Sequence, residues 1–216
     1  MKYGESSFDI FYLLVTIILG FTMLKKSKNN YGKLLAISTL ILGFGDSFHL
    51  VPRILNYFIE ADFTMALGIG KLVTSITMTV FYVLLYRFAN SYYKLNNKKL
   101  SYTIYCLFIL RIILCLLPQN AWLTNNSNVT MGIIRNVPFI IMGIIMIIIF
   151  YNNRNKLMRF KYIWLLILLS FAFYIPVAVA ASVLPILGML MLPKTICYLL
   201  MVEIFYQAIN NNEISD

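Results

Sequence analysis

The run Gly132–Tyr151, GIIRNVPFIIMGIIMIIIFY, holds one charged side chain, Arg135, and one amide, Asn136, in twenty residues. A helix of that length rises about 30 Å, the thickness of the hydrocarbon core of a bilayer. The run has no two-residue alternation between apolar and polar positions, so it does not read as a strand of a membrane barrel. It predicts a membrane-spanning helix.

Working outward, six more apolar runs of spanning length come into view, at 9–24, 34–58, 65–86, 101–117, 161–184 and 187–208. The chain of 216 residues is 61% hydrophobic and 12% charged, about half the charge a soluble domain carries. There is too little polar surface to cover a water-soluble core. The expected fold is therefore all-α, a seven-transmembrane helix bundle forming a single domain over 1–216. The first run does not read as a cleaved signal, because Lys2 is offset by Glu5 and Asp9 and no small-x-small site follows.

Loop charge predicts orientation. Lys25, Lys26, Lys28 and Lys33 flank the first connection, Arg87, Lys94, Lys98 and Lys99 the third, and Arg154, Lys156, Arg159 and Lys161 the fifth. The second connection carries Glu60 and Asp62, and the fourth and sixth carry no charge. The positive-inside rule then puts the N-terminus outside and the C-terminus in the cytoplasm. The net charge of +10 is accounted for mainly by this topology and by attraction to anionic lipid heads. No interleaved aromatic pattern points to nucleic acid. Asn125-Asn126-Ser127 and Asn128-Val129-Thr130 are glycosylation acceptors only in a eukaryotic secretory route. The expected location is a bacterial cytoplasmic membrane. Cys106, Cys115 and Cys197 all fall within spans, without paired or metal-type spacing.

Five cations remain inside the spans: Arg53, Lys71, Arg111, Arg135 and Lys194. Each costs about 2.5–3.5 kcal/mol at the centre of a membrane helix, and such groups normally face the bundle interior and find partners. At about 1.5 Å per residue, all five fall within ~10 Å of the outer ends of their helices. With Asp9 counted in the N-terminal flank, only Asp46 and Glu203 oppose them within the spans, and Glu203 lies near the inner end.

The second span carries the densest polar pattern. Asp46, His49, Arg53 and Asn56 follow at steps of 3, 4 and 3, one stripe on a helix. Pro52 removes a backbone donor beside that stripe. Asp46, ~18 Å from the outer end, would floor a polar cavity. Lys71 with Ser75, and Lys194 with Tyr198, have the i,i+4 spacing to line its walls.

These residues predict an outward-facing pocket for an anionic ligand or lipid head group, in a receptor or carrier. The five cations hold the anion, and Tyr198, Asn56 and Ser75 assist. Forked guanidinium donors suit carboxylate and phosphate. Membrane lipids are expected partners; no cofactor and no metal is expected. His49 is the one histidine, and it cannot build the multi-histidine metal site of alkaline ceramidases or adiponectin receptors. The alternative chemistry is a lipid hydrolase in which Asp46 orients His49 as general base.

Two family likenesses are carried by few residues. Gly45-Asp46 in a second span resembles bacterial lysoplasmalogenases, but their second intramembrane aspartate has no counterpart here. Lys194 on the seventh span is similar in place to the retinal lysine of microbial rhodopsins, yet the third span carries Lys71 and no acid in the counterion's position.

Overall fold

The computed structural model describes residues 2–124, 129–180 and 184–214. These form seven α-helices: α1 (Lys2–Lys26), α2 (Asn30–Phe58), α3 (Thr64–Tyr92), α4 (Lys98–Leu116), α5 (Val129–Asn152), α6 (Ile163–Ala180) and α7 (Met191–Asn210). Short 3-10 turns span Pro118–Asn120, Met158–Phe160 and Pro185–Leu190. No strand occurs among the described residues, and seven helical segments are long and apolar enough to cross a membrane.

Helix starts follow from local chemistry. Asn29 caps α2 by accepting from the Gly32 amide at 2.8 Å, and Asn97 caps α4 by accepting from Leu100 at 3.1 Å. In α1, Glu5 lies in the first turn and Lys25 and Lys26 in the last, as the helix dipole favours. α4 instead opens on Lys98 and Lys99, against its dipole. Their place in the basic loop set outweighs that local cost of a few tenths of a kcal/mol.

Two boundaries differ from the sequence expectation in ways that matter. α1 begins at Lys2 rather than at 9, so Glu5 is helical and Asp9 lies about two turns inside the helix. α3 continues to Tyr92, past 86. Hydropathy marks only the apolar window, and a polar group turned into the bundle is invisible to it. Residues 181–183 of the expected sixth span, and 125–128 of the two glycosylation motifs, lie outside the described residues.

Consecutive helices pack side by side, and α7 closes against α1. α3 also meets α5, and α2 meets α7. The α2–α3 seam is the closest. A Cβ on Gly45 would collide with the Thr77 side chain, and one on Gly70 with the Phe48 carbonyl and the His49 backbone. Thr74 Oγ1 crosses the seam to the Gly45 carbonyl at 3.1 Å. Small residues that let helix backbones approach, with a hydroxyl bridging them, are the usual adhesive between helices in lipid.

The outer faces are apolar. Ile10, Phe11, Leu14, Ile18 and Phe21 on α1, and Ile141, Ile144 and Ile148 on α5, are exposed, whereas Thr16, Ser38, Thr39 and Thr79 are buried. That inverts the water-soluble pattern and suits a hydrocarbon solvent. Inside, Tyr82 packs edge-on to Phe139 at 5.2 Å and against Phe171 at 5.6 Å, joining α3, α5 and α6.

The basic-loop end is tied shut by polar contacts. Asn29 Nδ2 donates to the Ile214 carbonyl at 2.7 Å, Lys26 Nζ to Asn210 Oδ1 at 2.6 Å, and Arg159 Nε to Glu213 at 2.8 Å. The opposite end, where α1 begins, holds the five intramembrane cations.

Candidate ligand cavity and cation cluster

A partly open cavity lies between α1, α2, α3 and α7 at the end where α1 begins, with about 50 Å³ of water-accessible space. That is room for about three to five waters. α1 supplies Glu5 and Asp9; α2 supplies Asp46, His49 and Arg53; α3 supplies Thr74; α7 supplies Lys194 and Thr195. The stripe on α2 continues one on α1, where Glu5, Asp9, Tyr12 and Thr16 follow at steps of 4, 3 and 4.

The two stripes join through hydrogen bonds. Tyr12, with 0% exposure, donates its hydroxyl to Asp46 Oδ2 at 2.7 Å. Arg53 forms an ion pair with Glu5, and the Tyr57 hydroxyl also donates to Glu5, at 3.1 Å. Lys194 stands within electrostatic range of both Asp46 and Arg111. Its Nζ lies 5.0 Å from the Tyr174 ring centre and 5.5 Å from that of Tyr198, a geometry that offsets part of the cost of its burial.

The remaining cations stand away from the cavity wall. Arg111 is 1% exposed, with its guanidinium carbon 3.8 Å from the centre of the Phe139 ring. Its Nε and Nη1 are buried without a hydrogen-bond partner among the described residues. Arg135 Nη1 donates to Asn120 Oδ1 at 2.7 Å, and its guanidinium carbon stacks 4.4 Å from the Trp122 ring centre. Asn120 in turn donates to the Leu114 and Leu117 carbonyls at the end of α4. Arg135 is thus built into the α4–α5 connection. Lys71 lies within electrostatic range of Arg53 and Arg135.

Of the residues expected from sequence, Asp46, His49, Arg53 and Lys194 share the cavity. Arg111, Lys71 and Arg135 do not line it, although Arg111 lies within electrostatic range of Lys194 and Lys71 within that of His49 and Arg53. Tyr198 sits one turn below Lys194, 2% exposed, with its hydroxyl 3.2 Å from that of Tyr82. Two placements are corrected. Asn56 is exposed and Tyr57 takes its place, because beyond Arg53 the buried stripe advances by four residues rather than three. Ser75 turns back to the Lys71 carbonyl of its own helix at 2.7 Å, and Thr74 takes the wall position.

Sequence reasoning missed Glu5, Asp9, Tyr12 and Thr74. The first three were detectable as a helical stripe, had the helix been started before the apolar window. Glu5 and Asp9 join Asp46 to bring the acids lining the cavity to three, against the two cations Arg53 and Lys194.

An Asp46–His49 base pair does not form: Asp46 is engaged by Tyr12, and His49 Nδ1 is buried without a partner among the described residues. Nor does any group of three or more His, Cys, Asp or Glu side chains make a metal site among the described residues. What the arrangement offers is a small polar cavity lined by three carboxylates and two cations. Comparison of the chain with protein families, with curated proteins and with solved structures finds no match, so the site is read from its own chemistry.

Proposed function

We propose that this protein is a receptor or carrier of a bacterial cytoplasmic membrane, holding the anionic group of a small ligand or lipid head group against Lys194. In this reading the N-terminus is outside, supported by the twelve cations that flank the first, third and fifth connections. Thiol labelling of Lys28→Cys only from the cytoplasmic side checks that orientation.

The observation that carries the proposal is Arg111. A guanidinium that is 1% exposed, with Nε and Nη1 unbonded among the described residues and only the Phe139 ring and the Tyr174 hydroxyl to offset its charge, is incompletely compensated. Leaving one inside a bundle is costly, and the neighbouring Lys194 adds to the cost. An anion against Lys194 offsets both charges in a medium of low dielectric. Lys194 is the contact, since it lines the cavity, and Arg111 contributes its field.

Native mass spectrometry of the purified protein tests this. A discrete anionic adduct on the wild type that is lost from Lys194→Gln supports the proposal. An adduct-free wild type, with Lys194→Gln merely less stable, leaves the charges as structural adhesive.

A further inference from the structure

The cavity presents more negative than positive charge. Glu5, Asp9 and Asp46 face it against Arg53 and Lys194, with His49 beside them. A bare anion approaching Lys194 through this mouth meets three carboxylates. Two of these are engaged, Glu5 by Arg53 and Tyr57 and Asp46 by Tyr12. Asp9 is different: it is 5% exposed, it lines the cavity, and no hydrogen bond or ion pair reaches it among the described residues. Arg53 is in electrostatic range of Asp9, but it is committed to Glu5.

Two groups of opposite sign are therefore under-partnered, Asp9 on α1 at the cavity wall and Arg111 on α4, whose Nε and Nη1 are unbonded among the described residues and whose charge reaches Lys194. A buried charge without a partner calls for a counter-charge, and here the two needs are complementary. We infer that the cavity takes a small zwitterion, its ammonium group against Asp9 and its oxyanion against Lys194. This rests on the anion-binding reading and adds to it the positive pole of the ligand. An ammonium donates up to three hydrogen bonds, which suits a carboxylate that has none. Free amino-oxyanions and the ethanolamine phosphate head of a phospholipid share this chemistry.

Calorimetric titration of the full-length protein in detergent tests the inference, with phosphoethanolamine and with ethyl phosphate, which lacks the amine. The expected result is binding of phosphoethanolamine at least tenfold tighter than ethyl phosphate. Asp9→Asn abolishes that preference, and Asp9→Glu, which keeps the charge, retains it. Thermal unfolding of each variant identifies any that fails to fold. In nanodiscs, retention of phosphatidylethanolamine over phosphatidylglycerol assigns the zwitterion to a lipid head group; no lipid preference, with phosphoethanolamine still bound, assigns it to a free solute. Equal affinity for both soluble probes, unchanged in Asp9→Asn, overturns the zwitterion and leaves the anion reading standing. Binding of neither probe and of neither lipid overturns both.

Discussion

Tyr12 on α1 donates a 2.7 Å hydrogen bond to Asp46 on α2, 34 residues away, and this contact brings the first helix into the cavity. The phenol partly replaces the water that the carboxylate gives up within the bundle. Asp46 so held lies within electrostatic range of Lys194. With Tyr12 in place, the acidic wall has two helices rather than one.

Tyr12→Phe keeps the ring and removes that donor. The expected loss is about 1 kcal/mol, the scale of a side-chain hydrogen bond between membrane helices. Chemical denaturation in mixed micelles measures it, and a double-mutant cycle with Asp46→Asn should return a coupling above roughly 0.5 kcal/mol. Strict additivity of the two changes would mean the bond contributes nothing.

Much of this was legible in the sequence, and the limits have physical causes. Seven spans follow from apolar runs because lipid demands them, and the cationic end follows from counting residues along each helix. The stripe Asp46, His49, Arg53 is a one-helix property and is readable from spacing alone. Which helices share the cavity is a property of packing. Nothing in one dimension tells that Arg135 goes to Asn120 and Trp122 while Lys194 goes to the Tyr174 and Tyr198 rings within electrostatic range of Asp46. Glu5 and Asp9 were missed for another reason: an apolar window fades where a helix becomes polar, and α1 begins with its polar face.

Gly70 sets the α2–α3 spacing that positions His49. Its missing Cβ would meet backbone atoms of Phe48 and His49, which cannot swing aside. Gly70→Ala should cost about 2–3 kcal/mol by overpacking. Gly4→Ala, with nothing within 4 Å of the added carbon, should be neutral or stabilise by up to about 1 kcal/mol. Paired unfolding curves of the two variants make the comparison, and equal effects would refute the close-packing argument.

Arg111→Met should separate stability from function. The substitution replaces a buried, under-partnered cation by an apolar chain of similar length, so the ligand-free protein gains about 1–2 kcal/mol. Ligand affinity falls at the same time, because the guanidinium's field at Lys194 is gone. A variant that unfolds more readily than the wild type in the absence of ligand would show that Arg111 is satisfied in a structural role.

The basic-loop end makes a pH-dependent prediction of known sign. The Arg159 guanidinium hydrogen-bonds Glu213 and holds its carboxyl below its ordinary value of 4.5, outweighing a small opposing effect of burial. A carboxylate whose value is lowered by folding stabilises the fold above its unfolded value and loses that contribution as pH falls through the folded one. The wild type should therefore exceed Glu213→Gln by a few tenths to about 1 kcal/mol near neutrality, with the gap closing below pH 4.5. Thermal unfolding across pH 3 to 7 reads this directly, and a gap that persists at pH 3 would assign it to packing of the C-terminal segment.

The central claim is that an anionic group sits against Lys194, and anomalous diffraction from crystals grown with 2-aminoethylarsonate, an amino-oxyanion whose arsenic scatters anomalously, examines it most directly. The account predicts an arsenic peak within hydrogen-bonding reach of Lys194 Nζ, on the side facing the cavity, and its disappearance in Lys194→Gln. An empty cavity at saturating 2-aminoethylarsonate, with Lys194 still beside the Tyr174 and Tyr198 rings and Arg111 still stacked on Phe139, would contradict it.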